Sequence, residues 1–210
     1  MSLRDCFFAY RSFTPIPIVF ILLYFTEPIF PFLWIGFGSV FIGEYIRFYA
    51  VRYAGGITRS RKVGAPSLCT SGPYAHIRNP LYLGNMVIYM GVTFIAGGVF
   101  MWEFLGIVFI YFTIQYVMII SLEEETLSDL FGAEYDQYKI NVPRFIPRIT
   151  PWKNPDNRIP ATITKTIITE KRTLQNILLL LSLIFIRTYF GNGISSVSYT
   201  HLPLPTSDLV

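Results

Sequence analysis

The sequence predicts an all-α integral membrane protein: about five transmembrane helices, a cytoplasmic helix after the fourth, and no Rossmann domain. Three observations carry this. Only 14% of the 210 residues are charged and 52% are hydrophobic, with 19 Phe and 14 Tyr, whereas a soluble domain carries roughly a quarter charged residues. Apolar stretches recur at lengths near the ~20 residues that a helix needs to cross a bilayer. Every Lys and Arg except Arg187 falls in segments on one side of the resulting topology, which puts those segments in the cytoplasm.

The predicted spans follow in order. The first is Phe13 to Thr26, short and interrupted by Pro15 and Pro17. The second is Ile29 to Val51 and carries Glu44 and Arg47. The third is Leu81 to Gly98, the fourth Met101 to Ile120, and the fifth Leu174 to Phe190. Glu27-Pro28 and Gly97-Gly98 break helices, so spans one and two, and three and four, read as two hairpins. The glycines Gly84, Gly91, Gly97 and Gly98 suit close helix packing. The length suits one domain, placed at residues 1–190. The first twenty residues lack a signal-peptide layout, because the two prolines interrupt the apolar stretch. Cys6 and Cys69 are isolated thiols without metal-ligand spacing, which argues against a disulfide or zinc site. The basic balance, with a pI near 9.1, reads as topology; no reader motif for nucleic acid accompanies it.

Two motif regions carry the candidate chemistry. In Gly72-Pro73-Tyr74-Ala75-His76-Ile77-Arg78-Asn79-Pro80-Leu81-Tyr82, the prolines disfavour continuous helix, and Pro80 suits the first turn of span three. The free N–H groups there favour negative charge, and the Arg78 fork can take a carboxylate in two parallel bonds. Tyr74 and Tyr82 are equally readable as interfacial anchors. Downstream stand Glu123, Glu124 and Glu125. A helix from Leu122 to Tyr138 would align Glu124, Leu127, Phe131 and Tyr135 on one stripe, with Glu125, Asp129 and Glu134 on a solvated face. Glu123, one position around, reaches either the same pocket or Arg144. Glu44 and Arg47 lie three apart on one helix face and read as a simple pair. His76 has no companions for a metal set, and no Walker, Rossmann or triad pattern appears.

Together, Gly72-Pro73-Tyr74, Arg78-Asn79-Pro80, Tyr82, Glu123-Glu124, Leu127, Phe131-Gly132, Tyr135, Tyr138 and Val142-Pro143-Arg144-Phe145-Ile146-Pro147 resemble the isoprenylcysteine carboxyl methyltransferase family, which is similar to the membrane phospholipid methyltransferases. The motifs cover residues 68–147. The resemblance implies an enzyme that uses S-adenosyl-L-methionine in a cytoplasm-facing pocket, with a lipid-like or prenylated acceptor arriving from the bilayer. By the same resemblance, Tyr74, His76, Arg78, Asn79, Pro80 and Tyr82 line the cofactor site from one side. Glu123, Glu124, Tyr135 and Arg144 close it from the other. Arg78 and Glu124 are the residues expected to matter most for catalysis. Two departures stand out. Asn79 replaces a His that family members often carry, so a titratable ring there is not a required base. Ile119-Ile120-Ser121 stand where the protein-modifying branch carries Arg, which keeps a phospholipid amine open as the acceptor beside an isoprenylcysteine carboxylate.

A non-enzymatic lipid-binding or scaffold protein and a small transporter are the competing classes. Transport places polar residues at mid-membrane, whereas these clusters gather at one interface. Val197 to Leu202 resembles a translated sequencing adapter, so residues 195–210 are expected to be a non-native or disordered tail that has displaced the natural C-terminus.

Overall fold

Glycine sets how the middle of the bundle packs. The computed structural model describes residues 3–55, 66–153 and 156–199, with backbone alone from 192. Its helices are α1 (Leu3–Tyr10), α2 (Ile16–Tyr24), α3 (Phe30–Ala54), α4 (Pro80–Ala96), α5 (Met101–Phe131), α6 (Ala133–Asn141) and α7 (Ile163–Tyr199). A 3-10 turn at Gly72–Ala75 precedes α4. Gly36 and Gly43 lie two turns apart on α3, and Gly84 and Gly91 two turns apart on α4, so each pair shares one helix face. A Cβ on Gly43 would meet the Gly84 carbonyl at 2.7 Å, and one on Gly36 would meet the Gly91 carbonyl at 2.7 Å. The two backbones touch, antiparallel, as small residues permit between membrane helices.

The two predicted hairpin turns exist and are clipped to each other. The Glu27 N–H donates to the Ala96 carbonyl at 2.8 Å, and the Gly98 N–H donates to the Glu27 carbonyl at 2.8 Å. Gly97 and Gly98 take φ of 63° and 88°, which only glycine adopts readily. A Cβ on Gly97 would strike the Glu27 carbonyl at 2.4 Å. This clip marks one end of the bundle; the Arg78 and Glu124 motifs mark the other. Among the described residues α3 packs on α4 and α7, α4 on α5, and α1 on α5. Two of these helices, Met101–Phe131 and Ile163–Gly191, are long and apolar enough to cross a membrane, and Pro80–Ala96 is a shorter apolar helix.

Four boundaries differ from the expectation. The helix predicted from Phe13 starts at Ile16, because Pro15 and Pro17 are tolerated only around a first turn. The unanticipated α1 precedes it. The break between them is held on α5 by Thr14 Oγ1 to Gln115 Oε1 at 3.0 Å and the Tyr111 hydroxyl to the Thr14 carbonyl at 3.0 Å. The fourth predicted span does not stop at Ile120: α5 continues through the Glu run to Phe131. The helix expected over Leu122 to Tyr138 is instead divided at Gly132, whose φ is 50°, a positive φ at the helix C-terminus. The last helix begins at Ile163, well before Leu174. Most of the separate segment expected over 195–210 lies outside the described residues.

Among the described residues, side-chain packing forms three clusters. Leu22, Val40, Ile88, Val92, Ile95 and Ile184 join α2, α3, α4 and α7. Phe8, Val108, Phe112, Tyr116, Ile119 and Ile120 join α1 to α5. Leu68, Tyr135, Tyr138 and Val142 form a third beside the motif end. Leu178, Leu179 and Ile186 on α7 stay exposed, as expected of a lipid-facing helix.

The glycine seam makes a testable contrast. Gly84→Ala puts a methyl into the Gly43 carbonyl and the Arg47 stem and is expected to cost about 1–3 kcal/mol as overpacking. Gly38→Ala meets nothing within 4 Å and is expected to be neutral or slightly stabilising. Thermal unfolding of the two variants in one detergent measures the difference.

Candidate functional site

The segment before α4 is held in place by backbone hydrogen bonds. Asn79 is the N-cap and Pro80 the first helical residue, as the missing proline N–H favours. Arg78 N–H donates to the Pro143 carbonyl at 3.0 Å, Arg148 N–H to the His76 carbonyl at 2.9 Å, and Trp152 N–H to the Ala75 carbonyl at 2.9 Å. His76 Nδ1 lies 2.9 Å from the Arg148 carbonyl. Asn79 Nδ2 donates to the Arg144 carbonyl at 3.3 Å, and the Tyr138 hydroxyl to the Tyr74 carbonyl at 2.7 Å. Two stretches far apart in sequence are thereby tied along their length. Asp156 anchors the start of the first, accepting from the Thr70 N–H at 2.9 Å through its carboxylate.

This strap brings Arg78, Glu124, Tyr135 and Arg144 together. Arg78 Nη1 lies 3.1 Å from Glu124 Oε1. Arg144 grips the same carboxylate with both arms, Nε to Oε1 at 3.1 Å and Nη2 to Oε2. Side-chain exposure is 11% for Arg78, 10% for Glu124 and 34% for Arg144. Arg144 therefore engages both oxygens of Glu124. Arg78 Nε and Nη1 are buried without a hydrogen-bond partner, so the contact to Glu124 is ionic and poorly aligned. Two guanidinium groups around one carboxylate leave a net positive charge. Burial raises the Tyr135 phenol above its ordinary range and Glu124 adds to this, against an opposing pull from Arg78; the hydroxyl keeps its proton. Tyr82 and Glu123 form a neighbouring pair, the Tyr82 hydroxyl donating to Glu123 Oε1 at 2.8 Å. Of the two alternatives for Glu123, contact with Arg144 is not the one adopted. Glu125 is exposed and pairs with Arg4 at 2.8 Å.

Burying charges costs several kcal/mol per ion before pairing recovers it, so this cluster is weak evidence for stability. A buried arginine with unused donors, in a net positive setting, is the arrangement that takes a carboxylate from a ligand. Tyr74, His76 and Asn79 instead contribute to the strap, and Pro80 starts α4.

One polar cluster was underread in the sequence. Arg47 does sit near Glu44, at 3.6 Å, but its close partners are Glu170 Oε2 at 2.6 Å and Asn85 Oδ1 at 2.5 Å. Gly84 leaves the room that the Arg47 stem occupies. Glu170 is 1% exposed. The available signal was the spacing of Thr166, Glu170, Thr173 and Ile177, which puts the carboxylate on the least exposed stripe of the helix, with Thr166 buried and Thr173 and Ile177 half-buried.

Residues 32–134, just under half of the chain, match the phospholipid methyltransferase family. The protein-S-isoprenylcysteine O-methyltransferase of Schizosaccharomyces pombe is 31% identical over 116 residues, covering 53% of this chain and 48% of the relative. Methanethiol S-methyltransferase 1 of Bradyrhizobium diazoefficiens is 30% identical over 112 residues, covering 53% of this chain and 37% of the relative. A nickel-cobalt-cadmium resistance protein, NccN, of Alcaligenes xylosoxydans is 32% identical over 83 residues, 40% of this chain and 37% of that protein. The chain spans about half or less of the length of these relatives. No solved structure matches it.

The motif end also separates the two thiols. Burial pushes the Cys69 thiol up to about 11, whereas Cys6 is exposed. Because the thiolate is the reactive form, iodoacetamide at pH 8 is expected to alkylate Cys6 first. Cys69, half-buried and with its thiol pushed up, should follow more slowly, as peptide mass spectrometry over time would read.

Proposed function

We propose that the protein is an integral membrane methyltransferase dependent on S-adenosyl-L-methionine, with a cytoplasm-facing site and a lipid-like acceptor. The observation that carries this reading is the Arg78–Glu124–Arg144 cluster, in which Arg78 keeps buried donors unused. The residues fit the cofactor's amino-acid end. Arg78 would take its carboxylate, while Glu124, with Tyr135 beside it, would meet its ammonium or ribose once Arg144, the most exposed of the three, gives way. When bound, the cofactor supplies an activated methyl group on a sulfonium. Methyl transfer is an in-line displacement that needs alignment and a shielded site more than proton transfer. The strap supplies the alignment by fixing Arg78 and Arg144 to one rigid backbone frame.

The acceptor favoured by the resemblance is an isoprenylcysteine-type carboxylate, already nucleophilic when ionised. The match to the phospholipid methyltransferase family supports a phospholipid amine as the second reading, with Ile119-Ile120-Ser121 offering no Arg for an acceptor carboxylate. In both cases the acceptor carries a long apolar chain and enters sideways from the bilayer. Each buried CH₂ contributes about 0.8 kcal/mol to partitioning.

Calorimetry of the purified chain in detergent tests the cofactor site. Arg78→Ala is expected to weaken S-adenosyl-L-methionine binding about tenfold to a hundredfold, the scale of a charge-assisted hydrogen bond of roughly 1.5–3 kcal/mol. Arg78→Lys, which keeps charge but loses the fork, should fall between. Glu125→Ala should bind as the parent does. No binding by the parent chain would favour a non-enzymatic lipid-binding or scaffold role.

The acceptor has its own test. With labelled cofactor and one head group, methylation should rise steeply with acceptor chain length. Equal rates on short, water-soluble acceptors would rule out lateral entry.

A further inference from the structure

A groove of about 300 Å³ lies at the end of the bundle away from Arg78 and Glu124. The α2–α3 turn, the α4–α5 turn and the late part of α7 converge on it, and Tyr24, Phe25, Glu27, Phe100, Arg187 and Thr188 are among the residues that line it. Its two charged side chains are of opposite sign and come from different elements. Glu27 sits on the turn that two backbone hydrogen bonds clip to Ala96 and Gly98, so its position is rigid while its side chain is exposed. Arg187 stands one turn before Gly191, where a Cβ would lie 2.2 Å from Arg187 Nη1. The absent side chain gives the guanidinium its place. Neither charged side chain has a hydrogen bond or ion pair among the described residues.

The location narrows what such a groove would hold. The start of α5 and the late part of α7, the two helices long and apolar enough to cross a membrane, lie at this rim. Exposed aromatics crowd it: Tyr24, Phe30, Trp34, Trp102, Tyr189 and Phe190, and tyrosine and tryptophan gather at the level of lipid head groups. Toward the middle of the bundle, exposed Phe20 and Ile21 on α2 and Leu183 and Ile186 on α7 offer apolar surface for acyl chains. Arg187 is also the one basic side chain among the described residues on this side of the bundle, so charge-based topology does not explain it.

We propose that this groove binds a zwitterionic phospholipid, with Arg187 taking the phosphate and Glu27 the ammonium of the head group. A planar guanidinium matches phosphate oxygens in a fork. The carboxylate complements the amine end and disfavours head groups of purely negative charge. Thr188 adds a hydroxyl beside Arg187, and Tyr24, Phe25 and Phe100 shape the wall against which the glycerol region would rest. The site lies at the opposite end from the proposed methyl-transfer site. It holds a lipid that ties three elements at the rim and stands whether or not the chain binds S-adenosyl-L-methionine.

Native mass spectrometry of the full chain, released from micelles holding equal amounts of phosphatidylethanolamine and phosphatidylglycerol with no methyl donor, tests this. The parent chain is expected to retain phosphatidylethanolamine in preference. Arg187→Gln should reduce retention of both lipids roughly tenfold, the scale of one charge-assisted hydrogen bond, and Arg187→Lys should restore part of it. Glu27→Gln should abolish the preference by letting phosphatidylglycerol rise. Glu103→Gln, on the same rim but outside the groove, should change nothing. Three results would each overturn the proposal: a parent chain that prefers phosphatidylglycerol, an Arg187→Gln, Glu27→Gln double variant that retains lipid as the parent does, or soluble phosphoethanolamine displacing the lipid at equal concentration.

Discussion

The contact on which the rest of the bundle depends is the backbone approach of α3 and α4 through Gly36, Gly43, Gly84 and Gly91. Lipid tails are as apolar as leucine, so helices inside a membrane gain little from hydrophobic burial against each other and rely on close packing. Because carbonyls of one helix face the missing side chains of the other, the register admits little slippage. That register places the Arg47 stem over Gly84 and within reach of Asn85 and Glu170, which draws the start of α7 onto the bundle. It also sets the depth at which α4 begins, and with it the height of Arg78.

Two buried charge clusters follow from this frame, and they differ in character. Arg47 lies on α3 and its close partners come from α4 and α7, with both Nη atoms hydrogen-bonded, so the cluster acts as a joint between α3, α4 and α7. Around Glu124 the balance is uneven. One carboxylate meets two guanidinium groups, Arg144 takes both of its oxygens, and Arg78 is left with buried donors unused. A joint serving stability alone would be better built from hydrophobic residues of similar size. The uneven cluster is the observation on which the proposed cofactor site rests.

The strap that ties residues 74–79 to residues 138–152 is what makes that cluster possible. Its bonds run largely through backbone carbonyls and N–H groups, so side-chain identity matters less along it than the path the chain follows. His76 and Asn79, which look like ligand-binding residues in one dimension, contribute to this frame through the carbonyls of Arg148 and Arg144.

Much was determined by the sequence alone. Helical class, the hairpin turns at Glu27-Pro28 and Gly97-Gly98, the start of α4 at Pro80 and the meeting of Arg78 with Glu124 were legible, because proline, positive-φ glycine and apolar periodicity act over a few residues. So was the exposure of Glu125, which follows from its position around the helix. Tertiary structure decided the remainder. Periodicity did not show that α5 would run on through its Glu run until Gly132, since an apolar span and a polar helix share one hydrogen-bond pattern. Nor did it show that Arg47 would prefer Glu170, far along the chain, to Glu44 on its own helix. Glu124 and Tyr135 reach one cluster across a break, where a single stripe had been expected. Which partner a buried charge takes depends on which helix faces lie together, and contacts between distant segments set that.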